Sequence, residues 1–223
     1  MTIHRALIIG SSGGIGSAIS QHLRQQGTHV TALSRSHDGL DITDETSVAD
    51  CLGALEASYD LIFVTTGALQ GAGRLPEKTM RAVSPVALMD QFRVNALGPM
   101  MVLKHAKRLL PRQSRATFAV LSARVGSIGD NQLGGWYSYR AAKAALNQLV
   151  HTSAIELART HPQLACVALH PGTVQTEFTK DYQSRHATVS PQAAASNLIS
   201  VIEGLSPADT GGFFDWAGKP VPW

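Results

Sequence analysis

Tyr139 and Lys143 stand four residues apart in the stretch Tyr139-Arg140-Ala141-Ala142-Lys143. On a helix such a pair shares one face, with Cβ atoms about 5–6 Å apart. A phenol that must give or take a proton near neutrality is handicapped by its ordinary pKa of about 10. A fixed ammonium beside it favours the phenolate and draws that pKa down. The pair is therefore a candidate acid–base unit. The same spacing also arises by chance on solvated helices, so the elements that position it must decide.

A second constellation follows the apolar run Ala6-Leu7-Ile8-Ile9, which has the length of a strand. It reads Gly10-Ser11-Ser12-Gly13-Gly14-Ile15-Gly16. Ile15, Ala18, Ile19 and Leu23 then recur at helical spacing, Gly27 stands where a helix C-cap glycine belongs, and His29 to Leu33 reads as the next strand. Glycines suit this strand–loop–helix unit because the chain turns sharply, the backbone must approach a pyrophosphate, and the helix must pack close to the strand. An anion then rests on free N–H groups at the helix start. The context of strand before and helix after is the one a dinucleotide loop requires. Gly10, Ser12, Gly14, Ile15 and Gly16 are its candidate cofactor-binding residues.

The spacing Gly10-xxx-Gly14-x-Gly16 with a downstream YxxxK resembles the short-chain dehydrogenase/reductase family, and the resemblance runs over essentially the whole chain. Asn95, in Arg93-Val94-Asn95-Ala96, matches the family's helix asparagine, and Pro171-Gly172, after the run Leu164 to Leu169, matches its PG turn. Ser122-Ala123-Arg124-Val125-Gly126-Ser127-Ile128, with Gly134-Gly135-Trp136-Tyr137-Ser138-Tyr139-Arg140 beyond it, resembles the sniffer/C-factor-like carbonyl reductase branch. The resemblance implies an NADP(H)-dependent oxidoreductase that interconverts a carbonyl and an alcohol by hydride transfer. Tyr139 is then the general acid/base, Lys143 lowers its pKa and binds the nicotinamide ribose, and Asn95 positions a water. Pro171, Gly172 and Thr173 hold the nicotinamide carboxamide. A serine donates to the carbonyl oxygen; the family's catalytic position falls on Ala123, so Ser122, Ser127 or no serine completes the set. Ser122 is preferred, although alternation along a strand would turn it away from the substrate.

Two segments bear on the cofactor. After the second strand stands Leu33-Ser34-Arg35-Ser36, with no carboxylate. A carboxylate there would repel a 2′-phosphate, whereas a guanidinium binds one in bidentate fashion, so Ser34 and Arg35 favour NADP(H). Asp41 either contacts the adenine, as the resemblance implies, or simply leads into a helix near Thr43-Asp44. Where family members carry Asn-Asn-Ala-Gly, this chain has Thr65-Thr66-Gly67-Ala68. Gly67 still lets the backbone lie against a cofactor, and Thr65 or Thr66 must replace the lost asparagine bonds that brace the sheet.

The chain has 223 residues and no linker, composition break or repeat, which fits a single Rossmann domain over 1–223. Strand-length runs at Ala6–Ile9, His29–Leu33, Leu61–Thr65, Thr117–Leu121, Leu164–Leu169 and Phe213–Trp216 alternate with helical periodicity at about 15–25, 44–57, 85–109, 138–159 and 191–204. The predicted class is α/β, doubly wound, with a mostly parallel seven-stranded sheet and helices on both faces. Ligands bind beyond the carboxyl ends of such strands. A net charge of +3 is too mild to argue for nucleic acid, and the basic run Lys104–Arg108 reads as a solvated helix end. No run approaches a membrane span. The N-terminal residues lead straight into the first strand, leaving no room for a signal peptide, and two cysteines make no disulfide framework, so a reducing cytoplasm is expected. No cluster has metal-ligand spacing.

Phe178, Tyr182 and Trp136 are expected to wall an open substrate cleft under a short loop, with Tyr137 near it. The resemblance further implies a homodimer or homotetramer through the two long helices. Trp223 is expected to be buried. The rival reading is a nucleotide-binding signalling protein of C-factor type with little or no catalysis. Intact Asn95, Tyr139 and Lys143 argue against it.

Overall fold

The computed structural model describes residues 1–70, 73, 75–180 and 187–223. Tyr182 and the rest of the expected cleft-covering stretch 181–186 lie outside them. Six parallel strands form one sheet in the order β2-β1-β3-β4-β5-β6: β1 (Arg5–Ile9), β2 (His29–Leu33), β3 (Leu61–Val64), β4 (Ala116–Leu121), β5 (Leu164–His170) and β6 (Phe213–Asp215). Each lies where the apolar runs predict it. A seventh strand is absent among the described residues. The sequence shows only six strand-length runs, and all six are used in the sheet.

Alternation along the strands builds two layers of core. Leu7, Ile9, Ile62, Val64, Phe118, Val120, Cys166 and Ala168 face helices α3 (Glu45–Gly53), α5 (Gly98–Ala106) and α6 (Tyr137–Leu157). Ile8, Leu61, Phe63, Ala119, Leu121, Val167 and Leu169 face α1 (Gly14–Gln25) and α7 (Pro191–Gly204). Strands covered on both sides are apolar throughout, which is why they read as continuous runs rather than alternating ones. Burial raises the Cys166 thiol to about 12, as befits an inert core residue.

The long helical stretch is interrupted. Helix α4 (Pro85–Phe92) passes through a π turn at Arg93–Leu97 before α5 begins. A single π turn within a helix often marks a functional position, and this one carries Asn95. The Lys104–Arg108 run is more than a solvated end. Lys104 and His105 both reach Glu45, and the Arg108 guanidinium donates to the Leu52, Gly53 and Leu55 carbonyls that end α3. Trp223 is 43% exposed rather than buried; its ring stacks on Phe213 and meets His151 edge-on. No helix among the described residues is long and apolar enough to cross a membrane.

Candidate active site

Strand order reverses beside β1, where β2 lies on one side and β3 on the other. Such a switch point opens a crevice at the strand ends, and both Gly10 and Thr65 sit there. Gly10 has φ +89, open only to glycine at low cost, and its N–H bonds the Leu33 carbonyl. A Cβ on Gly16 would be driven into the Gly10 carbonyl and the Thr65 hydroxyl. Thr65 replaces the missing asparagine as a brace. Its hydroxyl donates to the Ile9 carbonyl at 2.8 Å and reaches Gly10 at 3.2 Å. The Thr66 hydroxyl is buried without a protein partner.

A cavity of ≈ 300 Å³ runs from this loop to the reacting groups. Gly14, Ile15, Thr66, Gly67, Ser122, Tyr139, Lys143, His170, Pro171 and Gly172 line it, with Phe178 at one side. The Trp136 and Phe178 rings flank Tyr139, with centroids 6.1 and 6.2 Å away; of the expected wall residues, Phe178 lines the cavity and Trp136 does not. Gly10, Ser12, Gly16, Ser34, Arg35, Asp41, Asn95 and Thr173 do not line the cavity itself. Gly10 and Gly16 pack within the loop, and Ser12 and Arg35 are exposed.

Tyr139 and Lys143 share the cavity-facing side of α6, 5% and 2% exposed. Lys143 Nζ donates to the Leu121 carbonyl at 2.8 Å and lies over the Tyr139 ring, 5.9 Å from its centroid. The expected lowering of the tyrosine is not what this arrangement produces. Burial raises Tyr139 above its ordinary value and brings Lys143 down to about 7. Desolvation outweighs the attraction because the ammonium lies over the ring and is itself starved of water.

Asn95 is fully enclosed. Its Nδ2 donates to the Ala68 carbonyl at 2.8 Å and to Gln91 Oε1 at 2.7 Å, while Oδ1 accepts the Ala68 N–H at 3.1 Å. The side chain is thus committed to bracing the backbone just past Gly67. Ser122 Oγ donates to Asn147 Oδ1 at 2.6 Å, turning its proton toward α6. Ser127 is buried and accepts the Asp130 N–H, outside the cavity lining.

The segment after β2 differs from its sequence reading. No acid follows β2 directly, but Asp38 folds back, and its carboxylate accepts from the Ser34 N–H at 2.8 Å and the Ser34 hydroxyl at 3.2 Å. Ser34 caps the short α2 (Arg35–Asp38). Asp41 accepts from the Thr43 N–H and hydroxyl, which hold its carboxyl below the usual range, aided by Arg35 and Arg93. The helix that follows is capped by Asp44 instead.

Sequence reasoning missed Glu77. Gly134, Gly135 and Trp136 all have positive φ on the way into α6, the last at +53, a strained value for a bulky residue. The Glu77 carbonyl accepts the Trp136 N–H, and its carboxylate accepts both the N–H and the hydroxyl of Ser138. Burial works to raise this carboxyl, and the Ser138 bonds more than offset it, leaving it lowered. No local pattern signals a helix cap 61 residues away.

The short-chain dehydrogenase family model matches residues 38–187. A 1-hydroxy-2-glutathionyl-2-methyl-3-butene dehydrogenase of Rhodococcus sp. is 30% identical, covering 97% of this chain and 98% of its own. The C-signal protein of Myxococcus xanthus is 38% identical over 59% of this chain and 76% of its own. A short-chain dehydrogenase/reductase of Burkholderia multivorans, solved with bound NADP, superposes over the full length of both chains with a TM-score of 0.81 at 26% identity. The fold, the site and these matches define an oxidoreductase of the Rossmann type. The chain belongs to the short-chain dehydrogenase family.

Proposed function

We propose that the protein is an NADP(H)-dependent reductase that interconverts carbonyl and alcohol groups on small molecules. One observation carries the reading: Tyr139 and Lys143 line the same cavity as the glycine loop and the Pro171-Gly172 turn, at the switch point of the sheet. The chain's atoms fit a dinucleotide. Glycines stand where side chains would collide, and the Thr66 hydroxyl beside the glycine loop is enclosed without a protein partner. The Rhodococcus relative is named for a hydroxyl-bearing substrate and the Burkholderia structure for its NADP, both in keeping with this chemistry.

Gly10, Ser12, Gly14, Ile15 and Gly16 would hold the pyrophosphate, Ser34 and Arg35 the 2′-phosphate, Asp41 the adenine, and Gly67, Pro171, Gly172 and Thr173 the nicotinamide end. When bound, the dinucleotide supplies or accepts the hydride, and the protein supplies placement and polarity. In reduction, Tyr139 gives its hydroxyl proton to the carbonyl oxygen. Lys143, at about 7, trades a proton near neutrality, and its bond to Leu121 fixes where that ammonium sits. Phe178 gives the substrate an aromatic wall, and Trp136 packs against Tyr139 behind it. A homodimer through α4, α5 and α6, working in a reducing cytoplasm, suits the apolar residues left exposed there and the two free cysteines. The signalling-only reading leaves the Tyr139–Lys143 pair without a role.

The test is NADPH consumption with a panel of ketones, aldehydes and quinones. Wild type turns over at least one, and Tyr139→Phe loses turnover while still gaining thermal stability from NADPH. Tight NADPH binding with no turnover on any substrate overturns the reading. NADPH at about 100 times its Kd adds roughly 2.7 kcal/mol of stability. Arg35→Ala is expected to weaken NADPH much more than NADH; equal losses would remove the 2′-phosphate role.

A further inference from the structure

A carbonyl oxygen that gains charge as its carbon is reduced is best stabilised by donors already aimed at it. Tyr139 is one. The chain has no hydroxyl at position 123, Ser122 has given its single proton to Asn147, and Ser127 lies off the cavity. His170 remains. It ends β5 with the side-chain parity of Ala168, which faces α6, and it stands one register step beyond the Leu121–Leu169 pair, beside Ser122. It lines the cavity with Tyr139.

The tautomer follows from its surroundings. Nδ1 is enclosed with no partner, whereas Nε2 is not enclosed in this way. A proton on Nδ1 would bury an N–H with nothing to receive it, at a cost of about 1–3 kcal/mol. With the proton on Nε2, the ring nitrogen that is not enclosed, Nδ1 keeps only a lone pair, and this is the tautomer that can donate into the cavity. Burial, with Arg124 nearby and Asp215 opposing, lowers the ring to about 4, so it is neutral at working pH. Both charged neighbours are otherwise engaged: Asp215 accepts the Ala217 and Lys219 N–H groups, and Arg124 pairs with Asp130. A neutral imidazole can donate to a developing alkoxide without surrendering its own proton.

We propose that His170, through Nε2–H, is the second hydrogen-bond donor to the substrate oxygen, the role that the family resemblance gives to a serine at position 123. This rests on the carbonyl-reductase reading above. The experiment measures kcat, KM and NADPH Kd (by nucleotide fluorescence) for His170→Leu, His170→Gln, Ser122→Ala and Tyr139→Phe, using a series of ring-substituted benzaldehydes. His170→Leu is expected to lower kcat about 100-fold with NADPH Kd within about twofold of wild type. His170→Gln, which keeps an N–H donor, recovers part of the loss. The deficit of the leucine variant shrinks as the ring substituent withdraws electrons, a trend that mere loosening of the fold would not produce. Should the leucine variant fail to fold, the glutamine variant's substituent trend alone decides, against wild type. The inference is overturned if NADPH affinity falls with kcat unchanged, if the deficit ignores the substituent, or if Ser122→Ala carries the loss instead. A wild type that binds no NADPH, or a fully active Tyr139→Phe, removes the underlying reading and this inference with it.

Discussion

Lys143 shows how far a single buried charge can be turned against stability. Its folded pKa is depressed from 10.5 to about 7. Between those values the unfolded chain binds more protons than the folded one, so this group's contribution to stability rises with pH across that window and is least favourable below it. Lys143→Met removes the charge and keeps most of the volume. The expected outcome is a higher Tm near pH 6, a gain that shrinks toward pH 10, and loss of activity, read by calorimetry over a pH series. A Tm loss of equal size at every pH would show that the bond to Leu121, not desolvation, governs the residue. Tyr139 titrates in the other sense: raised by burial, it makes stability fall as the pH climbs past 10. The types and spacing of this pair were legible in the sequence. Their electrostatics were not, because the sign depends on how completely the fold excludes water. The direction of Ser122 was not legible: strand parity predicted that it turns from the substrate, whereas it lines the cavity and bonds Asn147 of α6.

Helix α6 must begin at one place if Tyr139 is to face the cavity, and its beginning is held from a distance. The residue before the helix offers no side-chain cap, and the Glu77 carboxylate takes the Ser138 donors in its stead. Glu77→Ala is expected to cost about 1–2 kcal/mol, like the loss of a strong N-cap. It should lower kcat more than it weakens NADPH, because the tyrosine shifts and the glycine loop does not. Paired thermal melts and single-turnover rates check this; unchanged rates at reduced stability would confine Glu77 to a structural part. The five strands inward of β2 and the main helices were readable because buried parallel strands are short, largely apolar runs and amphipathic helices repeat at 3.6 residues; the half-exposed edge strand β2 was readable from its β-branched and apolar residues after Gly27. The π turn at Asn95 was not, since helical periodicity carries no mark of one extra residue. The four-residue α2 with its returning Asp38 was likewise too short to leave a pattern.

At the scale of the whole molecule, most apolar residues of α4 to α6 serve the core, yet Val86, Met89, Leu97 and Ile155 stay 46–68% exposed. Contiguous exposed apolar surface is costly for a protein that remains alone. In the proposed homodimer these residues are covered. Light scattering is expected to give twice the chain mass for wild type and the single mass for Leu97→Glu with Ile155→Glu. A wild-type monomer at micromolar concentration would place the interface elsewhere or remove it.

The helix that carries Asn95 holds one residue more than a regular ladder of hydrogen bonds would use. Excising a residue from Arg93–Leu97 would let that ladder close and give a straighter rod. Everything beyond the cut would swivel by about 100°, and the amide that now clasps Ala68 from both sides would lose its grip. The irregularity is thus a spacer: it gives up helical regularity for a fixed seam between the rod and the floor of the crevice.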